Sequence, residues 1–211
     1  MNGAVSNISR RSRNQLVLVV VLVRELCEFP ELESRLDDDS ENDYELDCST
    51  RRHAMGKYDH LELQGNEREE AVQAVKEQIA AWGITMPDVT PLPLHFGLGR
   101  FRDVGETEFW VANEVELGYC GKFLFVFDGQ TCPYHYHKVK HETFFLLKGT
   151  LRMRVGDEER VMEKGDLLPM PPGLGHSFTG IGPALILEVS MPSTLQDNFF
   201  ENKSIGDNGV I

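Results

Sequence analysis

Three side chains within one short stretch of the sequence could bind a metal ion together. His135 and His137 are two residues apart, so on a strand both imidazoles point to the same face. Glu142 follows five residues after His137, an odd separation that would place it on the opposite face of an unbroken strand. We therefore expect a turn or bulge between Lys138 and His141, with Glu142 opening the next strand and completing the cluster.

A fourth candidate lies in a second segment further along the chain. Fifteen residues separate Gly149 from Gly165, and the sequence then runs through Pro171 and Gly173 to His176. This run is typical of a strand and turn that end in a histidine. A pair of histidines alone is a weak signal for a metal site. The second segment strengthens it.

The two segments together resemble the two characteristic motifs of the cupin superfamily. The first motif is matched by Gly129, His135, His137, Glu142 and Gly149. The second is matched by Gly165, Pro171, Gly173 and His176, with Gly180 where the family usually has Asn. The resemblance covers residues 105–200, and the departure at Gly180 affects a turn position rather than a ligand.

This resemblance implies an all-β fold, the cupin double-stranded β-helix or jelly-roll barrel, with His135, His137, Glu142 and His176 as metal ligands. Three imidazoles and one carboxylate without thiolate suit Mn(II), Fe(II), Co(II), Ni(II) or Zn(II). Open coordination positions would accept two adjacent substrate oxygens, with the ion as Lewis acid. Cys132 lies close to His135 in sequence but is not needed to complete the ligand set.

A narrower resemblance is to the cupin-type D-lyxose ketol-isomerases. It is carried by the segments Tyr119–Lys122, Gly129–Pro133, His141–Phe144, Glu188–Ser190 and Asp197–Phe200. The resemblance implies a metal-dependent isomerase that interconverts an aldose and a ketose of the D-lyxose/D-xylulose type, with Mn(II) as the usual ion of that family. Its partner would be a small sugar, whose proton moves between C1 and C2 through a metal-stabilised enediolate.

Glu188 and Lys122 are the candidate catalytic residues. Glu188 lies within an apolar run and shares a face with Ile186 and Ser190 on a straight strand. Such a carboxylate either points into a functional cavity or is paired structurally. Lys122, also within a hydrophobic strand, could hydrogen-bond a sugar hydroxyl, balance the charge of Glu188, or extend from an edge strand to water.

Two other functions can use the same ligand set. A mononuclear iron cupin dioxygenase would need dioxygen, whereas an isomerase would not. A non-catalytic cupin that binds a sugar or a metal as a sensor would bind without turnover, although no DNA-binding motif accompanies the barrel. Since cupins commonly dimerise through the barrel face, we expect a homodimer.

The elements that must position these residues are short strands preceded by one helix. The sequence predicts strands at Phe109–Val115, Gly121–Phe127, Glu142–Leu147, Leu151–Val155, Glu159–Met162, Asp166–Pro169 and Ala184–Ser190, with a hairpin turn at Val155–Glu158. A helix is predicted over Asn66–Trp82, capped by Asn66, ended by Gly83 and packed on the outside of the main domain. The domains are then residues 55–104, a helix with a Pro- and Gly-rich lead-in, and residues 105–211, the barrel.

Residues 1–54 differ from the rest of the chain. Glu31–Asp47 holds nine acidic residues and one basic residue, and no periodicity defines an element with a buried face. We expect either a disordered extension or residues upstream of a true start at Met55. The apolar octet Leu16–Val23 is too short to span a bilayer, and no small-residue cleavage site follows it.

Charge and cysteine usage indicate the compartment and exclude some partners. The net charge of −13 argues against binding to nucleic acid or to an anionic membrane. The four cysteines, Cys27, Cys48, Cys120 and Cys132, form no CxxC pair and no disulfide-like spacing. Free thiols in a chain of this length indicate a reducing, cytoplasmic location.

Other polar residues near the motifs are weaker candidates. Lys138, Lys140 and His141 are expected on a solvated turn. Tyr134 and Tyr136 either line the mouth of the barrel or pack outside it. The remaining candidates are His53, His60, His95 and Asp197. Of these, His53 and His60 lack ligand spacing, His95 could reach the site from the Pro-rich passage, and Asp197 could support the site or cap the C-terminal end.

Overall fold

The computed structural model describes residues 59–211. The predicted extension, the apolar octet, the acidic run, His53, Met55, Cys27 and Cys48 lie outside the described residues. Within residues 59–211, no helix is long and apolar enough to cross a membrane.

The described chain forms a helix and a series of short strands. The helix is α1 (Gly65–Ala81), after a 3-10 turn at Asp59–Leu61. The strands are β1 (Leu92–Leu94), β2 (Glu106–Glu114), β3 (Tyr119–Val126), β4 (Thr131–Tyr136), β5 (Glu142–Lys148), β6 (Thr150–Val155), β7 (Glu158–Glu163), β8 (Leu167–Met170), β9 (His176–Gly180), β10 (Ala184–Ser190) and β11 (Phe199–Phe200).

The strands form two antiparallel sheets. The six-stranded sheet has the order β1-β2-β3-β10-β5-β8, and the five-stranded sheet has the order β11-β4-β9-β6-β7. This is the all-β double-stranded β-helix that the sequence predicts. Each of the seven predicted strands overlaps an observed one, and Val155 pairs with Glu158 across the predicted hairpin turn.

The core lies between the two sheets because alternate residues of each strand point inward. Leu124, Phe144 and Ile186 contribute from the six-stranded sheet, and Met153 and Phe178 contribute from the five-stranded sheet. Burying each large apolar side chain stabilises the fold by about 1.5–3 kcal/mol.

Helix α1 packs on the outer face of the six-stranded sheet, as predicted. Val75 and Ile79 are buried against Phe109, Phe125 and Leu185, whose side chains point away from the barrel interior. The helix begins at Gly65, so the expectation that Asn66 caps it is wrong. Gln64 occupies the cap position without a side-chain bond. The C-terminal end is as predicted, because Gly83 follows it with φ of +70°.

Two glycines of the motif segments are required by close packing. Gly149 joins β5 to β6 with φ of +85°, and a Cβ there would lie 2.8 Å from the Cα of Ala184. A Cβ at Gly180 would lie 2.7 Å from the carbonyl oxygen of Gly182. A side chain at Gly180 therefore has no room in this structure.

Candidate metal centre

The structure brings the four predicted metal-binding residues into one buried cluster. One candidate ligand atom from each of His135, His137, Glu142 and His176 lies within 4.8 Å of the others. His135 and His176 are paired across β4 and β9 of the five-stranded sheet, and His137 follows the end of β4. Glu142 opens β5 of the six-stranded sheet, after the turn that its spacing required. The cluster therefore joins the two sheets.

Backbone carbonyls orient all three imidazoles in the same way. Each Nδ1 faces a carbonyl oxygen: His135 faces that of Pro133 at 2.8 Å, His137 that of Asp197 at 2.7 Å, and His176 that of Leu174 at 3.3 Å. A carbonyl can only accept a hydrogen bond, so each Nδ1 carries the proton and donates. In the neutral form of such a ring Nε2 keeps a lone pair, which is the form of histidine that binds metals.

The candidate ligand atoms of this cluster fit a bound cation. Nε2 of His137, Nε2 of His176 and Oε1 of Glu142 are buried without a hydrogen-bond partner. Oε1 of Glu142 lies 2.9 Å from Nε2 of His176 and 3.4 Å from Nε2 of His137, although all three atoms are acceptors. Unpaired buried acceptors are costly, and a divalent ion shared by these atoms would remove that cost. The residues present therefore fit a metal ion with mixed nitrogen and oxygen ligands.

The charge states of the cluster suit the same role. Burial, together with the neighbouring His176 and His137, lowers the pKa of His135 well below its usual value. Burial alone would raise the pKa of Glu142, but Lys140 and the contacts with His137 and His176 hold it well below its usual value. A neutral imidazole and an ionised carboxylate are the protonation states required of metal ligands.

A series of buried side chains with alternating charges extends from Glu142 along the six-stranded sheet. We call its members, Glu142, Lys140, Glu188, Lys122 and Glu108, the ion-pair chain. Nζ of Lys140 lies 2.7 Å from Oε2 of Glu142 and 3.1 Å from Oε1 of Glu188. Nζ of Lys122 lies 3.4 Å from Oε2 of Glu188 and 2.6 Å from Oε1 of Glu108. Three carboxylates and two ammonium groups leave one net negative charge, which favours a bound cation.

Glu188 and Lys122, the predicted catalytic residues, are both buried in this chain. Glu188 shares the inward face of β10 with Ile186 and Ser190, as expected from a straight strand. Lys122 balances the charge of Glu188, one of the predicted alternatives. It does not extend to water from an edge, because β3 lies between β2 and β10. Burial would lower the pKa of Lys122, but Glu108 and Glu188 raise it well above its usual value.

The position of Lys140 differs from the one expected from the sequence. It was expected to be solvated on the turn, yet only 4% of it is exposed. Two buried carboxylates, on Glu142 and Glu188, need a cation between them, and Lys140 supplies it. Burial would lower the pKa of Lys140, but these two carboxylates raise it above its usual value, so the ammonium group stays charged. Lys138 and His141, on the same turn, are exposed as expected.

Glu106 and Glu108 extend the polar interior and were not predicted as site residues. Oε2 of Glu108 accepts a 2.7 Å hydrogen bond from Nε1 of Trp110. Burial and the neighbouring Glu108 raise the pKa of Glu106 to about 8. The sequence does contain a signal for them. Glu106 and Glu108 are two residues apart, so on a strand both side chains point to the same face.

The remaining candidates lie away from the cluster. Tyr134 packs under the guanidinium of Arg154, and Tyr136 stacks on Phe199, so both tyrosines pack outside the barrel. Both ring nitrogens of His95 contact backbone atoms, of Glu62 and Gly99, and the ring does not reach the site.

Cys132 and His60 also lie outside the cluster. Burial and the nearby Glu106 raise the pKa of the Cys132 thiol well above its usual value, which disfavours the thiolate that a metal would need.

Comparisons with known proteins agree with this architecture. A family model described as the cupin domain matches residues 124–190. Among solved structures, the L-ribose isomerase of Cellulomonas parahominis with L-ribose is 16% identical with a TM-score of 0.57, over 72% of this chain and 98% of that chain. A variant of the L-ribose isomerase of Acinetobacter sp. DL28 with L-ribose is 14% identical with a TM-score of 0.53, over 63% and 83%. At these identities the likeness shows the fold alone, and the family match covers residues 124–190.

Proposed function

We propose that this protein is a metal-dependent aldose–ketose isomerase that acts on a small sugar of the D-lyxose or L-ribose type. The observation that carries the proposal is Glu188, a buried carboxylate linked through Lys140 to the candidate ligand Glu142. Aldose–ketose isomerisation needs a base that takes a proton from one carbon and returns it to the neighbouring carbon. One carboxylate can perform both transfers.

The contacts of Glu188 leave one of its oxygens available for this role. Oε1 accepts hydrogen bonds from Nζ of Lys140 at 3.1 Å and from Oγ of Ser190 at 3.0 Å. Oε2 has a longer contact, with Nζ of Lys122 at 3.4 Å. Lys140 and Ser190 thus fix the carboxylate through one oxygen, and Oε2 is the less committed proton acceptor.

The four-residue cluster would hold the ion beside this base. His135, His137, Glu142 and His176 provide a nitrogen- and oxygen-rich site without thiolate, for which we favour Mn(II). When bound there, the ion would act as a Lewis acid toward the carbonyl and the adjacent hydroxyl oxygen of the sugar. The ion-pair chain would keep the charges of Glu142 and Glu188 balanced while the proton moves.

The likeness to L-ribose isomerases supports this substrate class. L-ribose and D-lyxose share their configuration at C2 and C3 and differ at C4. Both sugars would therefore present the same stereochemistry to a base acting at C2. The sequence segments that resemble D-lyxose ketol-isomerases and the fold shared with L-ribose isomerases are consistent with one reaction at this centre.

The test is anaerobic incubation of the Mn(II)-loaded full chain with D-lyxose, L-ribose, D-mannose and D-xylose, with ketose detected by chromatography. We expect D-xylulose from D-lyxose or L-ribulose from L-ribose, and loss of activity after chelation. D-xylose is the matched control, because it yields the same ketose as D-lyxose from the opposite configuration at C2. No ketose from any of these sugars would contradict the proposal, and turnover that requires dioxygen would favour the iron dioxygenase.

A further inference from the structure

Asp197 makes an unusual set of contacts with the turn that joins two candidate ligands. It lies between β10 and β11, and 8% of it is exposed. Oδ1 accepts hydrogen bonds from the backbone N–H groups of Lys138 at 2.8 Å and Val139 at 3.2 Å. Oδ2 accepts from Val139 at 3.2 Å and Lys140 at 2.8 Å. One carboxylate therefore binds three consecutive N–H groups.

The backbone of the same residue contacts a candidate ligand directly. The carbonyl oxygen of Asp197 accepts a 2.7 Å hydrogen bond from Nδ1 of His137. For His135 and His176, the corresponding carbonyl belongs to the residue two positions earlier in the chain. His137 depends instead on a residue 60 positions away. Its orientation is therefore set by where the segment around Asp197 is held.

We propose that Asp197 is a positioning residue for the metal centre, fixing His137 through its carbonyl and the turn from Lys138 to Lys140 through its carboxylate. This inference rests on the metal site of the proposed function. The two sets of bonds act together, because the side chain anchors the segment whose carbonyl orients His137. The same turn carries Lys140 inward and sets where Glu142 begins β5.

The carboxylate is suited to this role because it has two acceptor oxygens and no donor. Three N–H groups converge on it, and each oxygen receives two of the four bonds. An asparagine has nearly the same shape but would turn an NH₂ group toward N–H donors. Asp197→Asn therefore tests the hydrogen bonds with little change in volume.

The experiment measures Mn(II) affinity of the full chain from the free-ion electron paramagnetic resonance signal. Wild type, Asp197→Asn and Asp128→Asn are compared at a temperature where each is folded. Asp128 is the matched control, since its carboxylate also binds a distant backbone N–H, that of Gly182, at the opposite end of the strands. We expect affinity about 10–100-fold weaker for Asp197→Asn, as is usual when a residue that orients a ligand is changed.

A second measurement uses wild type alone, so it also decides the question if Asp197→Asn does not fold. Binding and ordering are reciprocal, so saturating Mn(II) should slow hydrogen exchange of the Lys138, Val139 and Lys140 amides. We expect this slowing to exceed that of the amides in the β6–β7 hairpin. Slowing no greater than in the hairpin, or Asp197→Asn affinity equal to wild type, would overturn the role of Asp197 alone. A wild-type chain that binds no Mn(II) would overturn the metal site of the proposed function as well.

Discussion

The two sheets contribute to the candidate centre in different ways. The five-stranded sheet side supplies three imidazoles, each oriented by a backbone carbonyl, and two of those carbonyls lie two residues before their histidine. The six-stranded sheet side supplies the ion-pair chain, whose members are held by one another's charges. We call these the histidine side and the ionic side. The first is organised mostly by local backbone geometry, and the second by contacts between distant strands.

This difference implies a division of roles. The histidine side presents lone pairs that suit an ion and has no group placed to move a proton between carbons. The ionic side contributes one ligand, Glu142, and the candidate base, Glu188. Changes on the histidine side should therefore remove metal binding. Changes on the ionic side beyond Glu142 should affect turnover and stability.

The largest expected effect is on the histidine side. His176→Ala should weaken Mn(II) affinity by more than the roughly 100-fold that changing a supporting residue can cause, because it removes a ligand itself. Metal content after dialysis and isomerase activity would both be measured. His95→Ala is the matched control, since His95 contacts backbone atoms and lies outside the cluster. Full metal content in His176→Ala would contradict the assignment of the histidine side.

Glu188→Gln tests the ionic side, where we expect turnover to fall and metal binding to remain. We expect kcat to fall by about 10²–10⁴-fold, the usual contribution of a general base, while Mn(II) affinity is retained. Steady-state kinetics and metal titration are the measurements, with the exposed Glu163→Gln as control. Unchanged turnover in Glu188→Gln would remove Glu188 as the base and leave the metal site in place.

Lys140→Met should destabilise the metal-free protein. It leaves the carboxylates of Glu142 and Glu188 buried without their shared cation, and breaking such a pair costs about 3–5 kcal/mol. Urea unfolding gives the free energy directly. Lys164→Met, which changes an exposed lysine directly after β7, should change it by no more than about 0.5 kcal/mol. Equal effects of the two substitutions would show that the buried charge of Lys140 does not support the fold.

The last expected effect concerns Glu106 and is the smallest for any one unit of pH, because it is spread over several units. Burial raises its pKa from 4.5 to about 8 in the folded protein, so the native state keeps a proton that the unfolded chain releases. Stability of the metal-free protein should therefore decrease as pH rises from 4.5 to about 8, by up to about 1.4 kcal/mol per pH unit. Glu106→Gln should flatten this slope in urea unfolding across the same range. The same slope in wild type and Glu106→Gln would show that Glu106 is not the group whose raised pKa causes the pH dependence.

The histidine side could largely be predicted from sequence because its geometry is local. The separation of His135 from His137 sets a shared face, and the odd separation of Glu142 requires the turn that is observed. The strands were predictable for the same reason, since alternation and turn residues act over a few positions. The strand β9, which begins at His176, is not predicted, because its short sequence has no clear alternation of apolar and polar residues.

The ionic side could be predicted only in part because its partners come from different strands. A lysine on a turn is usually solvated, and Lys140 turns inward because the buried carboxylates of Glu142 and of Glu188, the latter on the distant β10, lie beside its ammonium group. Glu106 and Glu108 were placed before the predicted strand, since acidic residues rarely face a core. Glu108 can be buried because Lys122, on β3, forms an ion pair with its carboxylate. Asp197 was considered as a supporting residue, but its bonds to three consecutive N–H groups could not be read from its position in sequence.

The central claim is that the buried lone pairs of His135, His137 and His176, with a carboxylate oxygen of Glu142, form one metal site. The most direct test is elemental analysis of the full chain after incubation with Mn(II) and extensive dialysis. We expect one equivalent of Mn(II) per chain. A protein that retains no metal after incubation with Mn(II), or with Fe(II), Co(II), Ni(II) or Zn(II), would contradict the claim.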